Sequence, residues 1–201
     1  MDHVSHSSIQ SFESCPRSWF AKYVEGKRAP AGDAAAFGNA FDQGVAHALG
    51  LKPGKRRGKE QKTDDKPFVM TPEIEVAVQF YRAQPWAWNN AELAQEEIYI
   101  EPAEWTLLGE HYGVSTDIPA PVIGYIDLAR KIEDGLRWET LDLKNSTRNE
   151  FRPEWMVQQM LYALVKRAHR VNVHLLLRRA NGSFDESAWG HLPTKADFVW
   201  G

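Results

Sequence analysis

Asp127, Asp142 and Lys144 are the residues whose types and spacing best suit chemistry. Asp134-Gly135 separates two apolar-rich runs, Val122 to Glu133 and Leu136 to Lys144, and that dipeptide suits the two-residue type I′ turn of a β-hairpin. With those residues at the tip, Glu133 faces Leu136, and counting outward puts Asp127 directly opposite Asp142. Side chains so paired have Cβ atoms about 4.5–5.5 Å apart, and like charges placed there destabilise the sheet. A hard divalent cation offsets that repulsion, because Mg²⁺ is commonly held by one or two carboxylates and keeps waters and phosphate oxygens in its shell. Side chains alternate faces along a strand, so Lys144, two residues beyond Asp142, joins the same side. An ammonium there can hold an attacking water and stabilise charge growing on a phosphate, while a metal polarises a nonbridging oxygen. The trio describes metal-assisted phosphodiester hydrolysis. The plainer alternative is a solvated face on which Lys144 neutralises two aspartates.

The elements that must position this hairpin are helices before it and a helix and strand after it. Ser7 or Ser8 is placed to cap a first helix carrying Ile9 and Phe12, and Pro16 opens a second through Trp19, Phe20 and Tyr23. A third helix is expected from near Gly38 to Leu49. Thr71-Pro72-Glu73 supplies a cap, a proline at the first turn and an acid at the positive end of the dipole for a fourth, which stops by Pro85. Glu97 to Glu101 alternates like a strand, and Glu104 to Pro121 is irregular, with room for a second short strand and a loop. Pro153 opens a helix to about Ala168, Val171 to Leu177 reads as a buried strand, and little is legible after Asn181-Gly182.

With 201 residues, 43% hydrophobic and 11% aromatic, the chain has apolar mass for one core, so residues 1–201 are expected to form a single domain. No apolar run approaches the roughly 18 residues of a membrane span. Met1 to Ser8 lacks the basic-then-apolar layout of a secretory signal, which points to an intracellular, cytoplasmic protein. A lone cysteine, Cys15, makes no internal disulfide and leaves no iron–sulfur cluster or structural zinc, each of which takes about four protein ligands. The net charge of -3 is not that of a typical nucleic-acid binder, but its distribution is uneven. Lys52, Lys55, Arg56, Arg57, Lys59 and Lys62 crowd against one acid, Glu60, in a flexible basic insertion at about 50–68. Such a run is either a solvated loop or, beside a nuclease site, an arm whose Lys55, Arg56 and Arg57 contact phosphates.

Several segments resemble the RecB-like exonuclease branch of the PD-(D/E)XK nuclease superfamily, in order along most of the chain. They are Ser7 to Pro16 with Trp19-Phe20 and Tyr23-Val24, then Gly124-Tyr125-Ile126-Asp127, then Leu141-Asp142-Leu143-Lys144, and finally Gln158 with Tyr162. The resemblance implies an α/β restriction-endonuclease-like core, a central mixed β-sheet flanked by helices. It implies Asp127, Asp142 and the backbone carbonyl of Leu143 as metal ligands, Lys144 as catalytic lysine, and Mg²⁺ or Mn²⁺ as cofactor. Gln158 and Tyr162, four apart on one helical face, would approach the site and the DNA. The implied activity is a metal-dependent DNA nuclease, an exonuclease in recombination, repair or phage DNA processing, partnered by DNA and by recombination or helicase proteins. The alternative keeps the fold as a weak or inactive DNA-binding or scaffolding subunit.

One departure concerns the metal. Family members show Gly-x-x-x-His before the sheet, whereas Gly38-Asn39-Ala40-Phe41-Asp42 ends in aspartate, an oxygen ligand suited to Mg²⁺. His47 lies roughly 140° around the helix from Asp42 and reads as a surface histidine. Glu97 stands where the family places an acid on its first strand, or is a solvent-facing strand residue. Trp86 and Trp88 suit either base stacking or packing near a helix end. Arg148, Arg152, Lys166, Arg167 and Arg170 flank the site without an assigned role.

Overall fold

The computed structural model describes residues 3–27, 29–30, 32–52, 68–104, 106, 120–132, 135–148, 150, 152–179, 183–184 and 196–197. Capping sets the helix boundaries. Ser5, rather than Ser7 or Ser8, caps α1 (His6–Ser14): its Oγ accepts the Ser8 N–H while Ser8 Oγ accepts the Ser5 N–H, a capping box with serine where an acid is usual. Pro16 opens α2 (Pro16–Tyr23) as expected. The next helix, α3 (Asp33–Ala48), begins ahead of Gly38, because Asp33 in its first turn and Ala34 to Ala36 favour helix. Thr71 caps α4 (Pro72–Arg82), accepting the Ile74 N–H.

The chain forms two compact units, Met1–Pro30 with Glu97–Tyr125, and Ala31–Glu96 with Ile126–Gly201. In the first, the Phe12 and Trp19 rings of α1 and α2 meet edge-on at 5.3 Å, Val4 bridges Val122, and the Tyr125 hydroxyl donates to Glu97 at 3.1 Å. Glu97 is therefore half-buried and engaged rather than simply solvent-facing.

The fold class is the expected one, α/β with a central mixed sheet flanked by helices. Strands β1 (Leu93–Ile100), β2 (Val122–Ile132), β3 (Arg137–Ser146), β4 (Ala168–Leu177) and β5 (Ala196–Asp197) lie in that order. β2 pairs antiparallel with β3, β3 parallel with β4, and β4 antiparallel with β5. A parallel neighbour needs a crossover, and α5 (Pro153–Lys166) supplies it. That helix ends sooner than Ala168 because Arg167 turns left-handed, at φ 51, and β4 starts immediately after it.

The hairpin has the register read from the sequence, running from Ile132 opposite Arg137 to Leu128 opposite Leu141. Its closure is one residue earlier than expected: the Gly135 N–H reaches the Ile132 carbonyl at 3.1 Å, with Gly135 at φ 71. Glu133 and Asp134 lie outside the described residues, as do most of Glu104 to Pro121 and the basic cluster of Lys55, Arg56 and Arg57. Burial pins the register whatever the turn type, since a one-residue slip would carry Leu128, Leu141 and Leu143 out of the core.

On that core face, Phe37, Phe41 and Val45 of α3 and Ile74, Val78 and Tyr81 of α4 pack with Leu128, Leu141, Leu143 and Leu176. Gly44 permits the close approach of the two helices: a Cβ there would sit 2.8 Å from Ile74 Cγ2 and 2.9 Å from Val78 Cγ2. Both neighbours are β-branched and stiff, so overpacking, at about 1–3 kcal/mol, outweighs the roughly 0.5–1 kcal/mol that alanine gains over glycine in a helix. Gly44→Ala is expected to lower the melting temperature by several degrees in a circular-dichroism melt. An unchanged or higher value would show that α3 and α4 have room to spare.

The opposite face belongs to α5. Its Ala163 packs with Ala168 and Val171, with Trp138 partly buried beside them, and the Thr140 hydroxyl donates to buried Gln159 at 3.5 Å.

Candidate active site

Asp142 and Lys144 lie on the α5 face of β3, the side that carries Trp138 and Thr140, because alternate residues share a side. Asp127 comes from β2, one step beyond the last regular pair. Instead of only standing opposite Asp142, it reaches across the strands: its Oδ2 accepts the Leu143 N–H at 2.8 Å, and its Oδ1 accepts from the Gln95 side-chain amide at 3.1 Å. Lys144 Nζ lies 2.6 Å from Asp142 Oδ2, a charge contact with almost no solvent at the acid and partial exposure at the amine. The same ammonium donates to Gln158 Oε1 at 3.3 Å, and Gln158 Nε2 donates to the Tyr162 hydroxyl at 2.6 Å. An ammonium only donates, so it fixes the amide with its oxygen toward Lys144 and its nitrogen toward Tyr162. The result is a relay from Asp142 through Lys144 and Gln158 to Tyr162.

The electrostatics show a surplus of negative charge. Burial, and then the Asp127 charge, push the Asp142 carboxyl up to about 7 against the pull of Lys144. Burial raises Asp127 too, opposed by Lys144, by the Leu143 N–H and by hydrogen bonds from Asp142 and Gln95. Asp42 of α3 feels the same charges: burial, and then Asp127 and Asp142, hold its carboxyl well above the usual range, against Lys144. For Lys144 burial acts downward, but Asp142 and Asp127 outweigh it and the amine is raised, so it is a cation at neutral pH. Three acids around one ammonium leave the cluster short of positive charge.

Of the residues singled out in the sequence, Asp127, Asp142, Lys144 and Gln158 come together, and Asp42 is near enough for their charges to act on it. Leu143 takes part through its N–H. Tyr162 is 3% exposed, so it braces Gln158 from within rather than facing solvent. His47 is exposed against Phe68, as expected. Trp88 is 3% exposed beneath the Arg130 guanidinium, 4.1 Å from its ring, which makes it a packing residue and not a stacking platform. Lys166 pairs with Glu96 at 2.7 Å and lies over the Trp138 ring. Gln95 was not visible as a site residue, because nothing in its neighbourhood marks a glutamine in a strand as special. A cavity of about 610 Å³ on the core face, lined by Trp86, Trp88, Arg130, Glu139, Asn172 and His174 among others, includes none of the three aspartates. Its Arg130 is already engaged by Glu139 and Asn90, both at 2.9 Å, so Asp127, Asp142 and Lys144 are the better candidates for chemistry.

Hard oxygen donors such as Asp42, Asp127 and Asp142 suit Mg²⁺ or Mn²⁺. Among the described residues no group of three His, Cys, Asp or Glu side chains stands in a geometry ready for a metal ion. The fit is thus one of donor chemistry and uncompensated charge: Asp127 is held by the Leu143 N–H and the Gln95 amide, while Asp142 Oδ2, with Lys144 Nζ 2.6 Å away, is buried without a hydrogen-bond partner among the described residues.

No curated protein matches the chain. A solved structure titled "Crystal structure of SSO0001" aligns over 92% of this chain and 65% of its own length, at 11% identity and a TM-score of 0.41. The chain therefore spans just under two thirds of that protein. The model of the PD-(D/E)XK nuclease superfamily matches residues 3–183, a span that takes in the hairpin aspartates, the lysine and the helix behind them. On that match the chain belongs to the PD-(D/E)XK nuclease superfamily, whose members generally are nucleases and usually work with a divalent metal.

Proposed function

We propose that the chain is a metal-dependent deoxyribonuclease, an exonuclease of the RecB-like branch, acting inside the cell on DNA in recombination, repair or phage DNA processing, alongside recombination or helicase proteins. The observation that carries the reading is the meeting of Asp127, Asp142 and Lys144 on one side of the hairpin, with Asp42 adding a third acid. Asp42, Asp127, Asp142 and the Leu143 carbonyl would hold Mg²⁺ or Mn²⁺. The bound ion would polarise the phosphate and ease ionisation of the attacking water. Lys144, being charged, serves as a donor of hydrogen bonds and of positive charge to the phosphate rather than as a base. Gln158 steadies that amine, and Tyr162 steadies Gln158. The basic cluster with Lys55, Arg56 and Arg57 would add salt-sensitive phosphate contacts.

The test incubates the protein with linear and circular, single- and double-stranded DNA in Mg²⁺, Mn²⁺ or EDTA. Cleavage that needs metal and a free end is expected. Cleavage of closed circles would make the enzyme an endonuclease, and DNA binding with no cleavage in any metal would favour the scaffolding role.

A further inference from the structure

Gln95 occupies an unusual backbone state. It has φ 50 as the third residue of β1; the other described non-glycine residue at positive φ, Arg167, closes a helix, where that conformation is ordinary. A non-glycine residue held left-handed inside a strand is strained and persists only where its surroundings over-determine it. The side chains around it record the consequence. Ala94 packs in the core with Leu128 and Leu141, whereas Gln95 and Glu96, though adjacent, both reach the other side, Gln95 to Asp127 and Glu96 to Lys166 of α5. Regular strand neighbours alternate, so two in succession on one side mark a bulge that re-aims a side chain.

We propose that Gln95 is a positioning residue, whose bulged backbone delivers a neutral amide to Asp127 and fixes the orientation of that carboxylate. The inference rests on that part of the proposed function which makes Asp127 a metal ligand. With Gln95 on Oδ1 and the Leu143 N–H on Oδ2, both oxygens of Asp127 are located by neutral donors. Neutral donors orient a carboxylate without cancelling its charge, which leaves the charge available to a cation. Outer partners of metal ligands act in this way, and their removal typically costs about 10–100-fold in metal affinity or activity.

Gln95→Gly separates the side chain from the backbone, because glycine accepts the left-handed conformation freely and lacks the amide. The full chain is compared with Gln95→Gly and Gln95→Ala by thermal melting, Mn²⁺ titration calorimetry, cleavage of linear DNA and amide exchange of Leu143 in metal-free protein. Gln95→Gly is expected to melt at or above the wild-type temperature, to bind Mn²⁺ about 10-fold or more weakly, and to exchange the Leu143 amide faster. Gln95→Ala should share these losses and melt lower. Wild-type Mn²⁺ affinity and Leu143 exchange in Gln95→Gly would overturn the proposal, leaving the bulge as the only function of the position. If the wild type binds Mn²⁺ but cuts no DNA, the nuclease reading fails, while weakened Mn²⁺ binding in Gln95→Gly still supports the positioning role. If the wild type binds no Mn²⁺, both fall.

Discussion

Lys144→Ala is expected to slow DNA cleavage by about 10²–10³-fold, the usual cost of removing a donor aimed at developing charge, while Mn²⁺ binding is kept or tightened. The Nζ stands 2.6 Å from Asp142 Oδ2 and is held as a cation by Asp142 and Asp127, so it shares the neighbourhood of the carboxylates that a metal would use. Two cations there repel each other. Deleting the amine removes that repulsion, and the loss of rate cannot then be blamed on an empty metal site. Asp142→Asn is the contrast: it deletes a charged oxygen donor that is 1% exposed, and metal affinity and cleavage should fall together. Single-turnover cleavage beside Mn²⁺ calorimetry reads both. A Lys144→Ala protein that cleaves at the wild-type rate would remove the lysine from the chemistry. One that loses metal and cleavage in parallel would reduce it to a structural counter-ion.

The part of this arrangement that was legible in the sequence is the part fixed by period. Hairpin register follows from alternate burial, so the pairing that brings Asp127 toward Asp142 was readable from Val122 to Lys144, even though the turn closes a residue earlier than Asp134-Gly135 suggested. The helix carrying Gln158 and Tyr162 was readable from Pro153 and its apolar spacing, because proline at the first turn is a strong start signal. What was illegible depended on tertiary contact. The start of α3 at Asp33, the cap at Ser5 and the early end of α5 at Arg167 turn on single backbone choices that several neighbouring residues could have made. Gln95 is the sharpest case. Its conformation runs against local preference, and its reason lies on β2, thirty-two positions away. Trp88 likewise reads as a stacking candidate until Arg130 is seen over its ring.

The same three acids set an expectation for stability against pH. In unfolded chain a carboxyl titrates near 3.8, whereas burial raises all three in the folded protein, with like-charge repulsion adding to it for Asp42 and for Asp142, which rises to about 7. A raised folded value means that the native state holds its proton more tightly, so the contribution of these groups to stability is greatest at low pH and declines as pH rises from about 4 through 7. Lys144 acts at the other end, since its raised value matters only above its ordinary 10.5, and it does not disturb that window. The decline is on the order of a few kcal/mol, which for a chain of this size is roughly 5–10 °C in melting temperature. Metal-free protein should therefore melt higher at pH 5 than at pH 8, and Asp142→Asn, with no proton to lose there, should flatten the difference. Mg²⁺ or Mn²⁺ would bind the ionised acids and replace the missing positive charge, so it should raise the melting temperature most at pH 8, little at pH 5, and release protons on binding. A scanning-calorimetry series across pH 5 to 8, with and without metal, checks all three. Equal slopes in wild type and Asp142→Asn, or stabilisation by metal that ignores pH, would mean that the proton on this cluster does not occupy the place of the cation.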